Sequence, residues 1–105
     1  MKELNMKNGD AVLVEGWSLD QGHRIDKWEI TALSSDSIEL RHIASYRKGG
    51  NGVVEFPGSG ELTRHGGWMI QHLSIPFAER WTQHIAEMRE LCEQLAKLPS
   101  NNGNQ

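Results

Sequence analysis

The hydrophobic period of the chain changes once, near His72, and this change limits the fold more than any other feature. Before it, apolar residues recur at every second position in short runs, the spacing of half-buried strands. After it, Phe77, Trp81, Ile85, Met88, Cys92 and Leu95 follow at steps of three and four, the spacing of one helix face. Strands first and a helix last predict an α+β protein.

The clearest strands form a hairpin. Trp28, Ile30 and Ala32 alternate with Lys27, Glu29 and Thr31, then Ile38, Leu40 and His42 alternate with Glu39 and Arg41. Ser34-Ser35-Asp36-Ser37 between them is turn chemistry. Ala11–Glu15 is a strand after the Gly9-Asp10 turn, and Val53–Phe56 is another, ended by Pro57-Gly58-Ser59-Gly60. Glu61–His65 extends as an edge strand, and Trp68–Leu73 is predicted as the last strand. Gly49, Gly50 and Gly52, three glycines in four residues, predict the most flexible stretch.

Five or so short strands over residues 10–73 predict a small antiparallel barrel or a curved sheet, with Trp28 and Trp68 in its core. A sheet of that size is marginal alone and needs cover. One long amphipathic helix is predicted over 75–98, with Ser74 as its cap, Pro76 in its first turn and Pro99 as its stop. Its polar face carries Arg80, Gln83, Glu87, Glu90, Gln94 and Lys97. Residues 1–98 read as a single domain and 99–105 as a disordered polar tail.

The opening Lys7-Asn8-Gly9-Asp10-Ala11-Val12-Leu13-Val14-Glu15-Gly16, with Gly22 and Ile25 after it, resembles the start of small SH3-like barrels, including the KOW type of ribosome and transcription proteins. The resemblance covers residues 7–43. Arg24 precedes Ile25 where a KOW segment usually carries a second glycine. What the resemblance implies is therefore the fold, a five-stranded SH3-like barrel.

Composition narrows the function classes. The net charge is −3 and the pI about 5.9, which disfavours whole-surface binding to nucleic acid or anionic lipid. The longest unbroken apolar run, Ala11–Val14, is far short of a membrane span. Cys92 is the single cysteine, so no intrachain disulfide forms, and a reducing cytoplasm is the expected setting.

Catalytic motifs are sparse. Neither a phosphate loop nor a dinucleotide-binding glycine pattern occurs. Ser59 between Gly58 and Gly60 reads as a turn, because a nucleophile elbow spaces its glycines differently. His42 and His72 fall on the inner faces of predicted strands and, with Glu55, are the polar groups an enzyme site between protomers could use. They lack positioned third and fourth ligands, so neither a metal nor a cofactor is expected. Cys92 on the apolar stripe reads as a small buried hydrophobe, with Arg89 the nearest cation on the helix.

Two partner surfaces remain. Leu91, Leu95 and Leu98 lie on one side of the distal helix and are expected to stay exposed unless a partner covers them. Trp17, at a strand end beside Gly16, is expected to be exposed with them. A homodimer with paired helices is the simplest cover. These features predict a non-enzymatic interaction protein acting on a protein surface, a build shared by small accessory and inhibitory proteins of phages and plasmids. The alternative is a nucleic-acid-binding regulator using Arg41, Tyr46, Arg47, Lys48 and Arg64 around the glycine loop.

Overall fold

The alternating segments pair as antiparallel strands: Ala11–Ser18 (β1), Gly22–Leu33 (β2), Ser37–Gly49 (β3), Gly52–Pro57 (β4) and Leu62–Gly66 (β5). The structure, a computed structural model, describes residues 6–20, 22–81 and 86–98, with backbone alone at 78, 81, 86 and 87. The sheet order is β1-β2-β3-β4, with β5 also on β3. β4 pairs with Ala44–Gly49 and β5 with Ser37–Arg41, so the two short strands share one edge of β3 end to end.

Two bulges decide which face each side chain takes. Lys27 pairs with Ala44 but Trp28 with His42, so Ile43 is the extra residue on β3. Ile30 pairs with Leu40 but Ala32 with Glu39, so Thr31 is extra on β2. A bulge resets the alternation and adds twist. The second one leaves Ala32 exposed and turns Leu33 toward the face of Ile30.

The result is two half-cores on opposite faces of one sheet. Ile25, Ala44 and Tyr46 share a face and pack against Met88 and Leu91 of the helix Ala86–Ala96. Ile30, Ile38 and Leu40 share the other face and pack against Met69 and Ile70 of the helix Gly67–Ser74. These helices are α3 and α1, and the short helix Phe77–Trp81 between them is α2. Arg80 of α2 ties this crossing down. Its buried guanidinium pairs with the buried Glu15 at 3.2 Å and donates to the carbonyls of Leu13, His72 and Ile75.

Several expectations change. The sheet is not a closed barrel: among the described residues no pairing joins β1 to β4. Each half buries one face under a helix, so the core is made without closure. Trp68–Leu73 is helix, because Met69, Ile70 and Leu73 meet the sheet from one helical face. That turn of helix leaves Trp68 62% exposed, and Trp28 is only half-buried. Ser74 closes α1, its hydroxyl donating to the Gln71 carbonyl. Of the single helix expected over 75–98, the described residues hold Phe77–Trp81 and Ala86–Ala96, and 82–85 lie outside them. The tail 99–105 also lies outside the described residues. Arg80 is buried rather than solvent-facing because Glu15 and three carbonyls surround it.

The glycine stretch is not a loose loop either. β3 runs through Gly49, which pairs with Gly52, and only Gly50 and Asn51 turn the hairpin. Gly52, at φ +128°, takes a backbone conformation that a side chain would strain. No helix among the described residues is long and apolar enough to cross a membrane.

Candidate functional site

The half of the sheet covered by α3 keeps its other face open. Arg24 and Asp26 of β2, Ser45 and Arg47 of β3, and Val54 and Phe56 of β4 alternate onto that face. All of these but Val54 border a groove of about 410 Å³ that reaches Trp28 and His42.

Its far wall is the loop between β4 and β5. This loop stays bonded to β3: Gly58 N–H donates to the Ile43 carbonyl, Gly60 N–H to the His42 carbonyl, and His42 N–H to the Glu61 carbonyl. A Cβ at Gly58 would overlap the His42 and Ile43 backbone, so only glycine lets the loop approach this closely. The approach brings Ser59 to His42. Ser59 N–H donates to His42 Nδ1 at 3.1 Å, which leaves Nε2 protonated and donating to Asp26 Oδ1, also at 3.1 Å. Asp26 Oδ2 accepts from Arg24 Nε at 3.0 Å. Trp28 lies against the imidazole, with ring centroids 4.7 Å apart.

Ser59 Oγ is 3.3 Å from His42 Nδ1, so serine, histidine and aspartate stand in sequence. These contacts fasten the loop to β3. Nδ1 already accepts the Ser59 N–H, and Ser59 Oγ accepts the Glu61 N–H at 3.2 Å. The N–H groups of Gly58 and Gly60 are likewise taken by β3, so the loop presents none of them to an oxyanion.

Charge is matched unevenly in the groove. Arg24 and His42 both satisfy Asp26. Arg47 has no carboxylate partner among the described residues; its guanidinium lies 4.2 Å from the centre of the Phe56 ring. Arg47 Nε and Ser45 Oγ are both buried with no hydrogen-bond partner.

The residues singled out from sequence scatter around this site. Arg47 is in it. Lys48 points to the opposite face and pairs with Glu90 of α3 at 2.6 Å. Tyr46, 5% exposed, is core; burial, then the nearby Glu55, pushes its phenol above the usual range. Arg41 pairs with Glu29 at 3.8 Å, and Arg64 donates to Ser37 Oγ at 3.3 Å. Of these five residues Arg47 alone borders the groove, and the other four lie on the opposite face of the sheet.

The distal leucines are also not a surplus. Leu91 is 1% exposed, and Leu95 and Leu98 pack half-buried on the same core. A sheet half that lacks any other cover needs them, which removes the exposure from which a paired-helix dimer was expected. Cys92 packs beside them, its thiol pushed up by burial first and then by Glu93 and Glu15. Trp17 is 57% exposed near His23 at the β1–β2 turn, away from the groove. His72 lies on α1 and Glu55 is exposed on β4, opposite the groove face, so neither joins His42. Among the described residues no group of three or more His, Cys, Asp or Glu could hold a metal.

Arg24, Asp26, Ser45 and Phe56 were missed by sequence reasoning. Their signal is the alternation of polar Arg24, Asp26, Ser45 and Arg47 opposite core residues, readable only once the Ile43 bulge is known. Comparison with known proteins finds no matching family model, no matching curated protein and no matching solved structure.

Proposed function

We propose that the protein is a non-enzymatic interaction protein that binds an acidic, extended segment of another protein along the groove beside β4. The observation that carries this reading is Arg47, a cation without a carboxylate partner next to the exposed Val54 and Phe56 on an edge strand. An extended peptide can pair its backbone with an open sheet edge while alternate side chains enter the groove. Alternating acidic and aliphatic residues would then meet Arg47 and the Val54–Phe56 strip in turn. A reducing, cytoplasmic setting fits a half-buried Cys92.

The nucleic-acid reading keeps only Arg47 of its original cluster, and the chain is acidic as a whole. Fluorescence anisotropy separates the two. Labelled peptides alternating acidic and aliphatic residues should bind, and Arg47→Glu should weaken them at least about tenfold, the cost of losing one charged hydrogen-bonding partner. Single-stranded oligonucleotides that bind with a steep salt dependence, where the peptides do not, would overturn the proposal.

A further inference from the structure

We propose that Arg47 and Ser45 form a carboxylate-binding subsite beside Phe56 in this groove, filled by an acidic side chain or a chain-terminal carboxylate of the partner. The inference rests on the reading of the groove as a peptide site and names the group that reading leaves open.

Two buried polar atoms without partners border the same groove. Ser45 is 5% exposed, and its Oγ and Arg47 Nε each expose less than 1 Å². Buried donors are normally satisfied, and each exception calls for an account. Four buried polar atoms lack a partner among the described residues, the others being Thr63 Oγ1 and Gln94 Oε1; Ser45 and Arg47 sit two residues apart on β3, on the face that the bulge at Ile43 turns toward the groove. The guanidinium offers Nε–H and an Nη–H as a planar fork that matches the two oxygens of a carboxylate, and the Ser45 hydroxyl can donate a third bond. The guanidinium lies over the Phe56 ring. Lifting it from that ring opens both atoms to an incoming oxygen.

The charge of the surroundings selects a monoanion. Asp26 and Glu61 also line the groove, while Arg24 is engaged by Asp26. Arg47 is the guanidinium of the groove that no carboxylate engages among the described residues, and its fork fits one carboxylate. A phosphate dianion would set its second charge against the two acidic residues.

The test is a titration of the whole chain with sodium acetate, with inorganic phosphate in parallel, followed on the Arg47 Nε–Hε resonance by NMR. Acetate should shift that resonance and saturate, and phosphate should bind more weakly. Ser45→Ala, which removes an unpaired hydroxyl and should leave the melting temperature unchanged, should weaken acetate about tenfold. Arg47→Lys should weaken it at least as much, because an ammonium cannot form the fork. A peptide with a free terminus and no acidic side chain, set against an amidated peptide carrying one internal aspartate, identifies the source of the carboxylate. An unmoved resonance, tighter binding of phosphate, or acetate binding untouched by Ser45→Ala would each overturn the subsite. Acetate binding with no binding of acidic peptides would keep the subsite and refute the peptide reading. Peptide binding that leaves Arg47 Nε–Hε unmoved would do the reverse.

Discussion

The sheet has two areas without a helix over them, and they treat their polar groups differently. Opposite α1, Glu29, Glu39, Arg41 and Arg64 lie on the open face. Arg41 reaches Glu29, Thr31 Oγ1 donates to Glu39 at 2.8 Å, and Arg64 donates to Ser37. Exposed pairs of this kind contribute little to stability and leave nothing for a ligand to satisfy. Opposite α3, the open face is concave and keeps Arg47 Nε and Ser45 Oγ unpaired beside an exposed aromatic ring. The same strands build both areas, so the difference is one of partner supply. A face whose charges are matched across strands offers a ligand nothing to satisfy, and the face with unmatched buried donors is where the carboxylate subsite is proposed.

The two halves also differ in how they are covered, which can be tested. The largest expected effect is at the crossing between their helices. Arg80→Ala removes the buried partner of Glu15 and the donor to three carbonyls, and should cost about 3–5 kcal/mol in urea unfolding. A loss below about 1 kcal/mol would show that α2 does not join the halves. Next come the half-cores themselves. Leu91→Ala and Leu40→Ala should each cost about 2–5 kcal/mol. Both should lower one shared transition, because β2 and β3 run through both cores. Two separable transitions would mean that the halves fold independently.

A smaller effect should be confined to the α3 half. Tyr46 and Cys92 both pack in that core, and burial raises both groups above their ordinary values of 10.0 and 9.0. The folded chain therefore holds these protons longer than the unfolded chain. Their contribution to stability is complete below about pH 9 and falls as pH rises through the raised values. The urea midpoint should drop as pH rises above about 9, first through Cys92 and then through Tyr46. Tyr46→Phe should flatten the upper part of that drop, and an unchanged profile would place the alkaline loss elsewhere.

The sequence made the strands legible where alternation was clean. β2 and β3 follow Trp28–Ile30 and Ile38–His42, and β5 follows the expected edge segment. Both bulges were invisible, since an extra residue such as Ile43 or Thr31 carries no local signature. Without them the faces of Ser45 and Leu33 could not be assigned, and the groove could not be assembled. Arg47 was legible as a cation of interest, but Lys48 beside it was wrongly joined to it because adjacency in sequence is opposition in a strand. The leucines of α3 were read as surplus because one long helix was expected to outrun the small barrel it covered.

The smallest predicted effect concerns Trp68, whose strand and helix assignments make opposite forecasts. In Trp68–Leu73, apolar residues are so dense that both a strand face and a helix face can be drawn through them. On a strand, Trp68 would join Ile70 on the buried face, and truncating it would cost about 3–5 kcal/mol. In α1 it instead leans edge-on to His65 at 5.6 Å and faces solvent, while Met69 and Ile70 take the core. Trp68→Ala should therefore cost under about 1 kcal/mol, the range of an exposed aromatic pair. Half-buried Trp28, packed on the α1 core and against His42, should cost several times more when truncated. The expected signature is a nearly unchanged melt for Trp68→Ala together with loss of the most red-shifted part of the tryptophan emission. A large drop in stability would return this segment to the sheet and leave the α1 half without its cover.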